Sequence, residues 1–276
     1  MGIVNVTPDS FADGGKYLAL SDASARITEM LAEDVDIVDI GGESTRPGAT
    51  RVSEEDERAR VLPVVKEALA LGATVSVDTM RASVAAAAIE LGVHFINDVS
   101  GGLADEKMSS VIAQSDVRYV AMHWRGHSAN MMDKSEYQDV VAEVRSELEE
   151  RISALVSTGV RREQLIVDPG IGFSKLPAQN WELLRGIEQL SELGLPILIG
   201  ASRKRFLGEN LKPEEREEAT DMVVATVVAA GAAMNAVSAA AGTTGGTTSG
   251  GSTGGRGGGG SGGGSGESKG IRRRKP

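Results

Sequence analysis

The sequence predicts an α/β fold, a (β/α)8 TIM barrel whose strand 8 and helix 8 are missing or replaced. Three observations predict it. Short apolar runs alternate with longer amphipathic stretches, a polar residue closes each run, and the alternation stops near residue 230, one unit short of eight. Near-continuously apolar runs between helices belong to a parallel sheet covered on both faces.

Each unit follows in order. GIVNV at 2–6 carries Asn5 at its end and precedes an amphipathic stretch at 22–33. VDIVDI at 35–40 carries Asp39, with Glu43 just beyond, and leads into 54–71. TVSV at 74–77 runs into Asp78 and then 81–91. HFIN at 94–97 ends on Asn97 and Asp98 before 105–113. YVAM at 119–122 meets His123 and precedes 137–158, where Val140, Val141, Val144, Leu148, Ile152 and Leu155 recur at helical spacing. LIV at 165–167 ends at Asp168 before 178–193, and PILIG at 196–200 leads to Ser202, Arg203 and Lys204 before 214–230. Asp and Asn also favour turns and helix caps. Seven polar closures in succession, however, converge on the C-terminal face of a parallel barrel, where active sites are built.

Composition sets the outer limits. Of 276 residues 41% are hydrophobic, and 16 of the 35 glycines fall in 242–276, a segment with almost no apolar side chains to offset its ordering entropy. The expected organisation is therefore a barrel domain over 1–240 and a disordered Gly/Ser/Thr-rich tail with a basic end over 241–276. The net charge is -10, and because residues 242–276 carry six basic groups against Glu267, the body is more acidic still, about -15. An acidic body argues against nucleic-acid binding, and RRRK at the end reads as a solvated basic terminus. Residues 222–241 are uncharged but lack Leu, Ile and Phe and are interrupted by Thr226, Gly231, Asn235 and Ser238, so no membrane span is expected. With no cysteine and no signal pattern at the N-terminus, the expectation is a cytoplasmic chain without disulfides or thiolate metal sites.

Seven motifs together resemble the dihydropteroate synthase family. They are MGIVNVTPDSFADGG (1–15), DIGGESTRPGA (39–49), SVDTMRA (76–82), INDVSGG (96–102), MHWR (122–125), DPGIGFSK (168–175) and GASRKRFLG (200–208), in family order. MHWR and SRKRFLG are most like the actinobacterial branch. The resemblance implies condensation of 6-hydroxymethyl-7,8-dihydropterin diphosphate with p-aminobenzoate, releasing pyrophosphate in folate synthesis. It assigns catalytic roles to Asp78, Asp168 and Lys204. A carboxylate at Asp168 suits the N–H donors of an aminopyrimidinone edge; Asn97 offers donor and acceptor beside it, and Lys204 donates to the ring. Arg203 joins Lys204 among the substrate-binding residues. Ser44, Thr45, Arg46 and Pro47 are implied to contact p-aminobenzoate from one loop, with Asp9 and Phe11 closing from another. Asn5 is implied to hold Mg²⁺ alongside phosphates and waters. His123 either packs beneath the site or touches substrate. A corrinoid-dependent pterin methyltransferase shares the barrel, but GGESTRPG and SRKRFLG fit the p-aminobenzoate enzyme.

The chain departs from that pattern after the seventh helix. Family members continue with a strand carrying an arginine and a histidine that help bind pterin and pyrophosphate; here the best ungapped match places Ala236 and Ser238 at those positions. Weak pyrophosphate binding, impaired turnover and unpaired edges on strands one and seven are the expected consequences. The alternative reading is a non-catalytic pterin-binding homologue. The family's homodimer, to which helices seven and eight contribute, is doubtful for this chain on the same ground.

Overall fold

The computed structural model describes residues 1–6, 16–45, 48–127, 131–208, 210–212, 214–229 and 232–235. Eight parallel strands appear in sequence order: β1 (Gly2–Asn5), β2 (Val38–Gly41), β3 (Val75–Asp78), β4 (Phe95–Asp98), β5 (Arg118–Met122), β6 (Leu165–Asp168), β7 (Leu198–Ile199) and β8 (Met234–Asn235). The helices are α1 (Lys16–Ala32), α2 (Glu54–Ala70), α3 (Ala82–Glu90), α4 (Met108–Ala113), α5 (Val140–Ser157), α6 (Pro177–Arg185), α7 (Ile187–Ser191) and α8 (Glu217–Ala229). Because α6 and α7 together form the sixth covering unit, α8 is the seventh.

Local sequence explains most boundaries. Ser53 caps α2 by accepting from the Asp56 amide at 3.1 Å, and four acids in the first turn complement the helix dipole. Asp139 caps α5 by accepting from the amides of Val141 and Ala142. The apolar stripe read from the sequence, Val140, Val144, Leu148, Ile152 and Leu155, is the buried face of α5. One stretch breaks where a single helix was expected: Gly186 separates α6 from α7, and a Cβ there would lie 2.6 Å from Val141 Cγ1 on α5. That close approach admits only glycine.

Strands β1 to β6 form one continuous parallel sheet, and β7 pairs with β8 in a second. A single bridge, Val167 to Ile197, carries the order from β6 to β7. Register aligns Asn5, Gly41, Asp78, Asn97, Val120 and Ile166 across the first six strands, and Leu198 with Met234 across the last two. Val120, Ile166 and Leu198 form an apolar cluster with Met1, Ile3, Phe95 and Met234 against it, which is the filled interior of a barrel.

The eighth strand corrects the sequence reading in one respect. A two-residue stub survives: Met234 pairs with Leu198 and packs on that interior cluster. Met234 supplies enough apolar surface for one layer, whereas the Ala-rich residues around it supply none for a longer strand. Among the described residues β8 makes no ladder with β1. The expected absence of helix 8, the positions Ala236 and Ser238, and the boundary at 240/241 all lie outside the described residues. No described helix is long and apolar enough to cross a membrane.

Candidate active site

The C-terminal ends of the strands build the site in two walls. Asn5, Gly41, Asp78 and Asn97 stand in register on β1 to β4. Gly41 leaves the space between its neighbours open, since a Cβ there would lie 3.5 Å from Asp78 Oδ2 and 3.8 Å from Asn5 Oδ1. One layer below, Asp39 is buried, and its Oδ2 accepts from Asn97 Nδ2 at 3.0 Å. That bond commits the amide NH2 and leaves the Asn97 carbonyl oxygen as the group available to a ligand N–H.

A buried carboxyl and a partly buried one in the same wall cannot both ionise at ordinary values. Burial raises Asp39, opposed by the nearby Ser76 hydroxyl and by the hydrogen bond from Asn97. Asp78 is raised well above the usual carboxylate range, by burial first and then by the charges of Asp39, Glu57, Asp98 and Glu43. These neighbours favour the protonated form of Asp78 relative to an isolated carboxyl.

A second wall comes from β6 and the turn after β7. Asp168 is 8% exposed, and its Oδ1 accepts from the Gly170 amide at 2.7 Å. A Cβ at Gly200 would meet Lys204 Nζ at 3.7 Å and Asp168 Oδ2 at 3.9 Å, so the ammonium and the carboxylate border the same space. Burial pushes Lys204 down to about 8 against the pull of Asp168. Burial raises Asp168, and Lys204, the Gly170 amide and Lys175 oppose that rise. Lys204 donates to the carbonyl of Ile171, and its Nζ lies 4.5 Å from the centroid of the Phe173 ring. Arg203, in the same turn, adopts φ 56° and donates its backbone N–H to Thr220 Oγ1 at 3.0 Å.

His123 resolves toward packing. It is 3% exposed, with Nε2 2.9 Å from Glu147 Oε2 and Nδ1 3.1 Å from Lys175 Nζ. Burial, then Lys175, pushes its pKa down to about 4, so the ring is neutral at pH 7. Glu147 is held near 2, because bonds from His123 and Arg125 outweigh its partial burial. Arg125 also reaches Glu143 and stacks 3.8 Å from the centroid of the Tyr137 ring.

The loop after β2 is braced at its base. Glu43 accepts from Arg51 Nε at 2.8 Å and from Arg81 Nη1 at 2.7 Å, while Arg81 also reaches Glu57 and the carbonyl of Val52. Both ends of the segment carrying Ser44 and Thr45 thus meet one guanidinium. Arg46, Pro47, Asp9 and Phe11 lie outside the described residues. The structure places Asn5, Asp78 and Asn97 in register on β1, β3 and β4, and Asp168 beside Lys204 at the ends of β6 and β7. Sequence reasoning missed Lys175, although it closes the quoted motif DPGIGFSK; its cue was a lysine ending a loop with two glycines. Glu147 and Arg81 offered no cue, because their partners are 24 and 38 residues away.

A family model described as pterin binding enzyme matches residues 1–238. The chain is 48% identical over 234 residues to the dihydropteroate synthase of Mycobacterium leprae, covering 82% of each. It is 45% identical over 227 residues to that of Bacillus subtilis, covering 81% of this chain and 77% of the other. Among solved structures, Xanthomonas albilineans dihydropteroate synthase with 4-aminobenzoic acid superposes with a TM-score of 0.80 at 41% identity, covering 86% of both chains. The Mycobacterium relative agrees with the actinobacterial character of MHWR and SRKRFLG.

Proposed function

The chain belongs to the pterin-binding enzyme family, and on that premise we propose that it is a dihydropteroate synthase. The reaction is a transfer: 6-hydroxymethyl-7,8-dihydropterin diphosphate and p-aminobenzoate give 7,8-dihydropteroate and pyrophosphate. The observation that best supports this reading is the Asp168 and Lys204 pair bordering one space at the ends of β6 and β7, in a barrel whose other wall presents Asn97 and Asp78.

In this reading Asp168 accepts the N–H donors of the aminopyrimidinone edge, and the Asn97 carbonyl oxygen accepts a neighbouring one. Lys204 and protonated Asp78 donate to ring acceptors. The C–O bond to the diphosphate breaks with its electron pair leaving on oxygen, and the aniline lone pair forms the new C–N bond. The aniline proton departs to the released diphosphate or to water. Ser44, Thr45, Arg46 and Pro47 hold p-aminobenzoate, and Arg203 supports the diphosphate side. Asp9 and Phe11 close over the reacting carbon, excluding water that would capture it.

Magnesium fits the first wall at Asn5, whose amide oxygen borders the gap at Gly41 and is a hard donor suited to an ion that keeps waters and substrate phosphates. Bound there, it would supply positive charge to the leaving diphosphate. The reaction is assigned to the cytoplasm, and the family homodimer is a further proposal that exposed Met222 and Val228 on α8 support.

Pyrophosphate release with both substrates and Mg²⁺ tests the reading, with pterin binding followed in parallel by titration calorimetry. Release dependent on both substrates is the expected result. Binding without release would instead favour the non-catalytic homologue, a reading that Ala236 and Ser238 at the family's arginine and histidine positions keep in view.

A further inference from the structure

The turn after β6 is built around a lysine that the reaction above does not use. Within DPGIGFSK three residues take left-handed backbone angles: Gly170 at φ 69°, Gly172 at 80° and Ser174 at 48°. Serine pays a steric penalty there that glycine avoids, so side-chain contacts must hold the turn. Lys175 meets that need. It is 3% exposed, and Nζ lies 3.1 Å from the Gly170 carbonyl oxygen, 3.0 Å from that of Phe173 and 3.1 Å from His123 Nδ1. The same turn touches both pterin-facing groups. Gly170 donates to Asp168, Ile171 accepts from Lys204, and the Phe173 ring lies against Lys204.

On the functional reading above, we propose that Lys175 is a positioning residue for the pterin, its ammonium fixing the Gly170–Phe173 turn that sets Asp168, Phe173 and Lys204 against the ligand. Three acceptors surround Nζ, and an ammonium has three N–H donors to match them. A neutral amine has two, so deprotonation breaks one contact. His123 cannot compensate easily, since Nε2 must keep its hydrogen to face the Glu147 carboxylate. The charged and titratable groups around Lys175 are Asp168 and Lys204 from the ends of β6 and β7, His123 and Arg125 from the segment after β5, Tyr137 before α5, and Glu147 on α5. Burial, partly offset by Asp168, brings Lys175 down to about 7.

The test is the pterin diphosphate Kd of the full chain between pH 6 and 9, with the p-aminobenzoate KM and the melting temperature measured alongside. Lys175→Met should weaken pterin binding about tenfold, leave the p-aminobenzoate KM within about twofold, and leave the melting temperature unchanged or raised. The last expectation follows because a buried charge gives way to an apolar side chain of similar volume. In the unmodified chain pterin affinity should fall in a step near pH 7 that Lys175→Arg, permanently charged, lacks. Lys204 adds a second step near 8 in every chain. A folded Lys175→Met chain with unaltered pterin affinity, or losses of pterin affinity, p-aminobenzoate affinity and stability in parallel, would overturn the proposal. Should Lys175→Met fail to fold, the arginine variant decides, and a retained step near pH 7 refutes the role. An unmodified chain that binds no pterin refutes the functional reading itself, a separable result.

Discussion

Two parts of the barrel are held together differently. From β1 to β6 the strands pair continuously in register, and their ends are braced by ionisable groups: Asn97 on Asp39, Arg81 on Glu43 and Glu57, Tyr119 on Asp98, His123 on Glu147. From β7 to β8 two residues pair with two, and closure rests on Leu198 and Met234 touching the interior cluster. The first region is a hydrogen-bonded and charged ladder, the second an apolar seam. The lesson is that the groups proposed to face the pterin straddle both, with Asn97 and Asp78 on the ladder, Asp168 at its last strand and Lys204 on the seam side. Binding therefore depends on the seam staying shut, while stability depends mainly on the ladder.

The largest effect should come from the ladder's core. Ile166 is fully buried, in register with Val120 and next to Val167, which makes the bridge toward β7. Ile166→Ala should destabilise by about 3–4 kcal/mol, read as a lower denaturation midpoint at constant m-value. A loss under about 1 kcal/mol would erase the contrast drawn between the regions.

Acid should attack the ladder next, because its braces titrate and the seam's do not. His123 has its pKa depressed from 6.5 to about 4. At this group the unfolded chain therefore binds more protons between those values, and the contribution of His123 to stability falls as pH drops from about 6.5 to about 4. The contribution is roughly 2–3 kcal/mol. Denaturation midpoints across that window should fall more steeply with acid in the unmodified chain than in His123→Asn, since the buried carboxyls with raised pKa values act alike in both. Equal slopes would place acid sensitivity elsewhere.

The border between the regions is tested by binding. Asp168→Asn removes a charge-assisted acceptor and should weaken pterin affinity about 10- to 100-fold, the range of one such bond. Calorimetry should show little change in the affinity for p-aminobenzoate measured with saturating pterin. On the other loop, Thr45→Ala and Arg46→Ala should raise the p-aminobenzoate KM several-fold with the pterin Kd intact; an untouched KM removes those residues from the site.

What the sequence made legible divides along the same line. Strand positions and their polar ends could be read because period, apolarity and turn chemistry are local signals, so Asn5, Asp78, Asn97, Asp168 and Lys204 fell at the strand ends where expected. The braces could not be read. Arg81 meets Glu43 only because β2 and β3 are neighbours, and Glu147 meets His123 only because α5 folds back over the end of β5. Gly186 breaks a helical stretch for a reason that lies on α5, in the side chain of Val141. The seam was misread in a different way. Its composition lacks strand signal, yet β8 forms because Leu198 and the interior cluster offer Met234 a place, a tertiary effect overriding propensity.

Met234 supplies the sharpest test of how little the seam contributes. It is only partly buried, and one side of its strand has no ladder among the described residues. Met234→Ala should therefore destabilise by only about 1 kcal/mol, well below the 2–5 kcal/mol of a fully buried methionine. The same change should weaken pterin binding by more than that loss of stability predicts, because a loosened β8 leaves β7, and with it Lys204, poorly held. A chevron with faster unfolding and unchanged folding would place seam closure after the folding transition state. If Met234→Ala instead matched Ile166→Ala in stability, the stub would be part of the ladder's core, and the barrel would be closed in the full energetic sense despite its two-residue eighth strand.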